Sequence, residues 1–197
     1  MGLTLRIIGI ASSAFFISAC STTNSIPYKA STSNVIAIQN SVAGTDRKVS
    51  VEAFRIAPGI NQDLTCRLLG PISVAPGKSI PAYVEEAFQE ELFLARAYDP
   101  RSAVAISGEI QELQFSSVSP ASWDLALRVS STESPGYTAS VSYEFDTSFD
   151  AFSACKNVAN AFGPAVQALL KQVVNDPRFP QLMGVGQANV ILQGVNQ

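Results

Sequence analysis

Ser153 and Lys156 stand three residues apart, the spacing at which a lysine amine assists a serine nucleophile. The companion motifs Ser-Asp-Asn and Lys-Thr-Gly, with which such a pair works, do not occur in the chain. Two fixed positions in four residues arise often by chance, so the first turn of a helix is the better reading. Glu85, Glu86, Glu90 and Glu91 form a second candidate group. Glu86 and Glu90 share a helix face at i,i+4, yet no further ligand completes an acid–base pair or a cation site. A solvated helix face is expected there. Gly184-Val185-Gly186 lacks the third glycine of a dinucleotide loop. The chain contains no histidine, which removes Ser-His-Asp and Cys-His catalysis, histidine metal ligation and histidine pH switching together. No catalytic residue, metal ligand or cofactor is expected, and the chain reads as non-enzymatic. Trp123, the single tryptophan, lies on the apolar parity of its segment and is expected in the core.

The three cysteines carry the remaining chemistry. Arg6 followed by the apolar run 7–17 has the build of an export signal, and its roughly 11 apolar residues fall well short of the ~20 that span a bilayer. Ile17-Ser18-Ala19-Cys20 ends that run and resembles the lipobox of bacterial lipoproteins. The resemblance implies a diacylglyceryl group on the Cys20 thiol, cleavage after residue 19, and acylation of the new terminus, with palmitate as the expected chain. More than one acyl chain is needed for stable anchoring, because each buried CH₂ contributes only ~0.8 kcal/mol. A non-aspartate residue after the cysteine, here Ser21, favours the outer membrane in such lipoproteins. Cys66 and Cys155 remain as an even pair in an oxidising compartment, where a disulfide is expected. Closing a loop of about 90 residues would add at most ~4–5 kcal/mol.

The 197 residues suffice for one domain with its own core, and 47% hydrophobic against 15% charged residues rules out a disordered acidic chain. A net charge of −3 without a Lys/Arg cluster argues against nucleic acid as partner. Residues 1–19 read as signal peptide, 20–47 as a lipidated flexible tether, 48–182 as a single α+β domain, and 183–197 as a Gly/Asn/Gln-rich tail. Within the tether the apolar patch 35–38 is a marginal edge strand. Within the tail, Val190-Ile191-Leu192 is apolar enough to add a strand to its own sheet or a partner's.

Apolar alternation predicts strands over 48–56 and 66–74. Ser79 then caps a helix over 80–98, with Pro81 in its first turn and Ile80, Val84, Ala87, Phe88, Leu92 and Ala95 on one face. Three alternating strands follow. The first, 103–118, carries a parity shift near Gln111-Glu112 that predicts a β-bulge. The second runs through Trp123, Leu125, Leu127 and Val129, and the third starts after a Ser134-Pro135-Gly136 turn. Asp150 opens a last helix, 151–174, with Phe152, Cys155, Ala159, Phe162, Val166, Leu169 and Val173 on one stripe. The order ββαβββα predicts a two-layer sandwich, an antiparallel sheet with two helices on one face.

The lipobox, the helix spacing Val84…Phe88…Leu92, three long strands and a C-terminal helix ending at Asp176 together resemble YajG-like lipoproteins of Gram-negative bacteria. They are similar also to small α/β lipoproteins that assist lipopolysaccharide assembly or lipid-transport ATPases. The resemblance implies a non-enzymatic, lipid-anchored outer-membrane protein facing the periplasm. Its partners would be the membrane, through Cys20, and an envelope protein of an assembly or transport complex. The alternative is a module that binds lipid or a peptidoglycan fragment. An exposed apolar patch would favour the first, and an apolar pocket between the layers the second.

Overall fold

A computed structural model describes residues 26–186. The expected signal, Cys20 and the apolar part of the tail lie outside the described residues. In chain order the elements are α1 (Thr32–Ser41), β1 (Ser50–Val51), β2 (Arg55–Ile56), α2 (Ile80–Leu94), β3 (Ala105–Ser116), β4 (Ala121–Ser131), β5 (Ser134–Phe145), α3 (Ala151–Val174) and α4 (Phe179–Leu182). β3, β4 and β5 form an antiparallel meander, while β1 and β2 both run parallel to β3 along its other side. The α+β class holds, with helices covering one face of one sheet. The sheet is mixed rather than antiparallel, because the chain crosses from β2 to β3 through α2 and so re-enters in the same direction.

Alternation places Ile106, Ile110, Leu113, Trp123, Leu125, Leu127, Val129, Tyr137 and Ala139 inward, all buried. α2 and α3 lie over this face. Two hydrogen bonds tie α3 to the sheet within the core: Trp123 Nε1 donates to the Val158 carbonyl at 2.9 Å and the Tyr137 hydroxyl to the Val173 carbonyl at 2.7 Å. Each gives the one polar atom of a large buried ring its partner. Phe115, Trp123, Phe162, Tyr83 and Tyr28 then form a chain of rings, with successive centroids 5.0–6.2 Å apart, from the sheet to the N-terminal segment. The bulge in β3 falls between Ile110 and Glu112, as the parity shift predicts.

Several segments differ from the sequence reading. Residues 32–41, expected within a flexible tether, form α1, which packs across α2 and α3 with Asn34 and Ile38 fully buried. Fewer than three turns of weak amphipathicity inside a Ser/Thr/Asn-rich stretch give no local signal; a docking surface made by two other helices supplies the stability. The single strand expected over 48–56 is two short ones. Residues 66–74 form no strand: Arg67 (φ 50°) and Gly70 (φ 93°) fold the chain back on itself, the Cys66 amide donating to the Gly70 carbonyl. Ser134-Pro135-Gly136 is not the turn between β4 and β5. Ser131 pairs with Ser134, so Thr132-Glu133 makes a two-residue turn and the Pro-Gly pair lies in an irregular stretch of β5. Gly136 (φ 79°) is required there, since a Cβ would overlap the Val129 carbonyl. The domain also runs past 182, for Met183 is fully buried and Val185 packs against the core.

Candidate partner-binding face

Pro58 has no amide proton and turns the chain away from β3 after Ala57, whose amide makes the last bond, 2.9 Å to the Ile110 carbonyl. β3 continues to Ser116, and among the described residues no strand flanks it on that side beyond Ile110. Residues 59–67 stand off as a facing wall. Between them lies an open groove of about 540 Å³, floored by Leu113, Gln114 and Phe115. The wall is fixed at its end by a disulfide, Cys66–Cys155, with Cα atoms 5.8 Å apart, which joins it to α3 just past the first turn. Asp150 caps that turn, its carboxylate accepting the Ser153 amide at 2.7 Å. This bond holds the Asp150 carboxyl below the usual range.

Arg67 follows the disulfide and organises the neighbouring surface. Its guanidinium donates to the carbonyls of Ser117 (2.9 Å), Ser148 (3.0 Å) and Phe149 (3.2 Å), and its Nε to Ser117 Oγ (3.3 Å). One planar cation thereby gathers the loop after β3 and the loop after β5. Three of its four bonds go to backbone carbonyls, and its charge also helps to lower the Asp150 carboxyl. A hollow of about 510 Å³ opens here, lined by Arg67, Val118, Ser119, Thr147, Ser148 and Phe149. Around it Leu68 and Phe149 are fully exposed, and Leu69, Val118 and Phe152 are more than half exposed. Val118 and Phe149 thus line the hollow beside one buttressed arginine, and Leu68, Leu69 and Phe152 stand exposed on the turns that the disulfide joins.

The other candidates fall elsewhere. Ser153 and Lys156 occupy the first turns of α3, and Ser153 contributes its amide to the helix cap. The layers themselves are closely filled, with Trp123, Phe88, Phe162 and Leu127 fully buried between them. Glu86 is exposed and pairs with Lys78. Glu91 does not share that solvated face: it is fully buried beneath the N-terminal segment. Among the described residues no group of three His, Cys, Asp or Glu side chains is placed to hold a metal, and no helix is long and apolar enough to cross a membrane. The patch was half legible. Phe152 shares the stripe of α3 by spacing yet is exposed, because that stripe overshoots the sheet at its N-terminal end. Leu68, Val118 and Phe149 sit in turns, where no periodicity marks a residue as outward.

No family model matches the sequence, and no curated protein matches it. Among solved structures, protein XCC0632 of Xanthomonas campestris, which carries the family label DUF330, is similar over 71% of this chain and 86% of its own, with 13% identity and a TM-score of 0.48. The hypothetical protein CT253 of Chlamydia trachomatis is similar over 71% of this chain and 99% of its own, with 14% identity and a TM-score of 0.44.

Proposed function

We propose that this protein is a non-enzymatic lipoprotein, anchored by lipid on Cys20 to the periplasmic side of the outer membrane, that binds a protein of an envelope assembly or transport complex through the Arg67 face. The observation that carries the reading is the patch of Leu68, Leu69, Val118, Phe149 and Phe152, held on turns that a disulfide and a four-bonded arginine make rigid. Rigid presentation of exposed apolar side chains suits association, because little order remains to be imposed on binding. The adjoining groove adds a mode of recognition. The free side of β3 offers backbone donors and acceptors to an extended segment, and Ile60, Leu64 and Phe115 line the groove it would occupy.

A photo-crosslinking side chain placed at Phe149, in intact cells, tests the reading. It is expected to capture a discrete protein adduct that the same probe at exposed Lys171 on α3 does not. Adducts to lipid alone, or the same proteins from both positions, would overturn it. The anchor is checked separately by mass spectrometry of the mature terminus. A lipidated Cys20 is expected there, and an unmodified Cys20 or a terminus at another residue sinks that half of the proposal.

A further inference from the structure

The N-terminal segment is held to the body by one buried carboxyl. Glu91 Oε1 accepts from the Tyr28 hydroxyl at 2.6 Å, the Ser31 amide at 3.1 Å and Asn34 Nδ2 at 3.0 Å. The Asn34 amide is oriented by a second bond from Nδ2 to the Gln167 carbonyl at 3.1 Å, and Gln167 Nε2 in turn donates to the Lys29 carbonyl at 2.7 Å. Every donor to Glu91 thus comes from residues 28–34, some 60 positions away in sequence. Two buried atoms in this network have no partner: Glu91 Oε2 and Asn34 Oδ1. Both are acceptors when the carboxyl is ionised, so as a carboxylate the network leaves two buried lone-pair groups unmatched. A single proton on Oε2 converts it to a donor toward Oδ1 and satisfies both at once. We propose that Glu91 is protonated in the folded protein and closes a cyclic acid–amide pair with Asn34, so that one proton locks residues 28–34 onto the body.

The surroundings agree in sign. Burial raises the Glu91 carboxyl above its ordinary range, the three donors on Oε1 oppose that, and Glu90 of the same helix adds to the rise; burial prevails. The N-terminal segment brings the neutral Tyr28 hydroxyl, α1 brings Asn34, and α3 brings the Gln167 carbonyl, so Glu90 is the charged group acting on it. When Glu91 ionises, its proton leaves to solvent and the new charge faces Asn34 Oδ1. The lock therefore opens as pH rises. Resting on the lipid anchor proposed above, the lock also sets reach: eight residues separate Cys20 from Tyr28, about 28 Å fully extended, against about 100 Å to Val49 once the segment and α1 are free.

Hydrogen exchange on the full chain, corrected for its intrinsic pH dependence, tests the lock with or without the lipid, and so apart from the anchor. Protection of the Ser31 amide, relative to the amides of β3–β5, is expected to fall about tenfold for each pH unit between the ordinary glutamate range and the Glu91 transition of the folded protein, and to level off above it. Glu91→Gln keeps both bonds of the pair with an amide in place of the proton, so its protection is expected to stay flat with pH. Wild-type protection independent of pH, or a Glu91→Gln protein that loses it as the wild type does, overturns the proposal. A carboxyl-carbon NMR titration of the wild type decides it without any variant. Glu91 is expected to stay protonated above the ordinary glutamate value of ~4.3, and titration at that ordinary value would refute the lock.

Discussion

Arg96 sits at φ 61°, in the left-handed region where glycine normally ends a helix. The α2 terminus closes there, the Arg96 amide donating to the Phe93 carbonyl and the Ala97 amide to the Leu92 carbonyl, both at 2.9 Å. Arg96→Gly should therefore stabilise the fold by about 0.5–1 kcal/mol, read as a higher denaturant midpoint, while a β-branched residue there should do the reverse. Gly136 is the opposite case. Gly136→Ala forces a Cβ onto the Val129 carbonyl and should destabilise by about 2 kcal/mol or more, with the loss seen in the same urea titration. Neither position announces itself in the sequence. Asp99-Pro100 looks like the helix stop, and Ser134-Pro135-Gly136 looks like the hairpin turn, because the local chemistry favours both. The partners that decide otherwise, a Schellman pair and a strand register, are made across residues that a window cannot weigh.

At the scale of elements, residues 58–74 owe their position to a covalent link rather than to a ladder. A single isolated bridge, Thr65 to Pro71, and local turns are their backbone order. The double variant Cys66→Ser, Cys155→Ser should lower stability by up to ~4 kcal/mol on the chain-entropy account. Exchange protection is expected to vanish first in 58–74, with β3–β5 retained, and calorimetry with exchange mapping reads both. Crosslinking from position 149 should fall with it, since Arg67 follows the disulfide directly. Phe149→Ala makes the contrast. The side chain is fully exposed, so its loss should leave the melting temperature unchanged and still remove the partner adduct captured by a probe placed at Val118 on the same face. A shift of several degrees instead would mean that Phe149 packs against the fold.

For the whole molecule, stability should fall on both sides of an intermediate pH. The Arg178 guanidinium grips Asp176 through two bonds, 2.8 and 2.7 Å, and holds that carboxyl below its usual range. The Asp150 cap acts likewise. Groups lowered in the fold contribute fully above their unfolded pKa, and that contribution is lost as pH falls through the folded value. Glu91 has the opposite sign: burial raises it, so its contribution is present below the ordinary range and lost as pH climbs through the folded value. Urea midpoints across pH should show both limbs. Asp176→Asn is expected to flatten part of the acid limb and Glu91→Gln the alkaline one; an unchanged alkaline limb in Glu91→Gln would assign it to another group.

The sequence by itself determined the three long strands, both long helices, the β3 bulge, the Ser79 cap, the core place of Trp123 and the Cys66–Cys155 pair. Each rests on spacing or on a residue type whose physics is local, or, for the cysteines, on the pair that remains when Cys20 is read as a lipobox residue. Tertiary structure alone decided the rest. Two two-residue strands align on β3 because a crossover helix returns the chain in parallel. A polar stretch becomes α1 because α2 and α3 offer it a groove, and Glu91 is buried because α1 lands on it. The exposed face around Arg67 exists because a disulfide and one guanidinium gather three turns that are remote in sequence. Alternation and helical period report which side of an element is apolar, but not what comes to cover it.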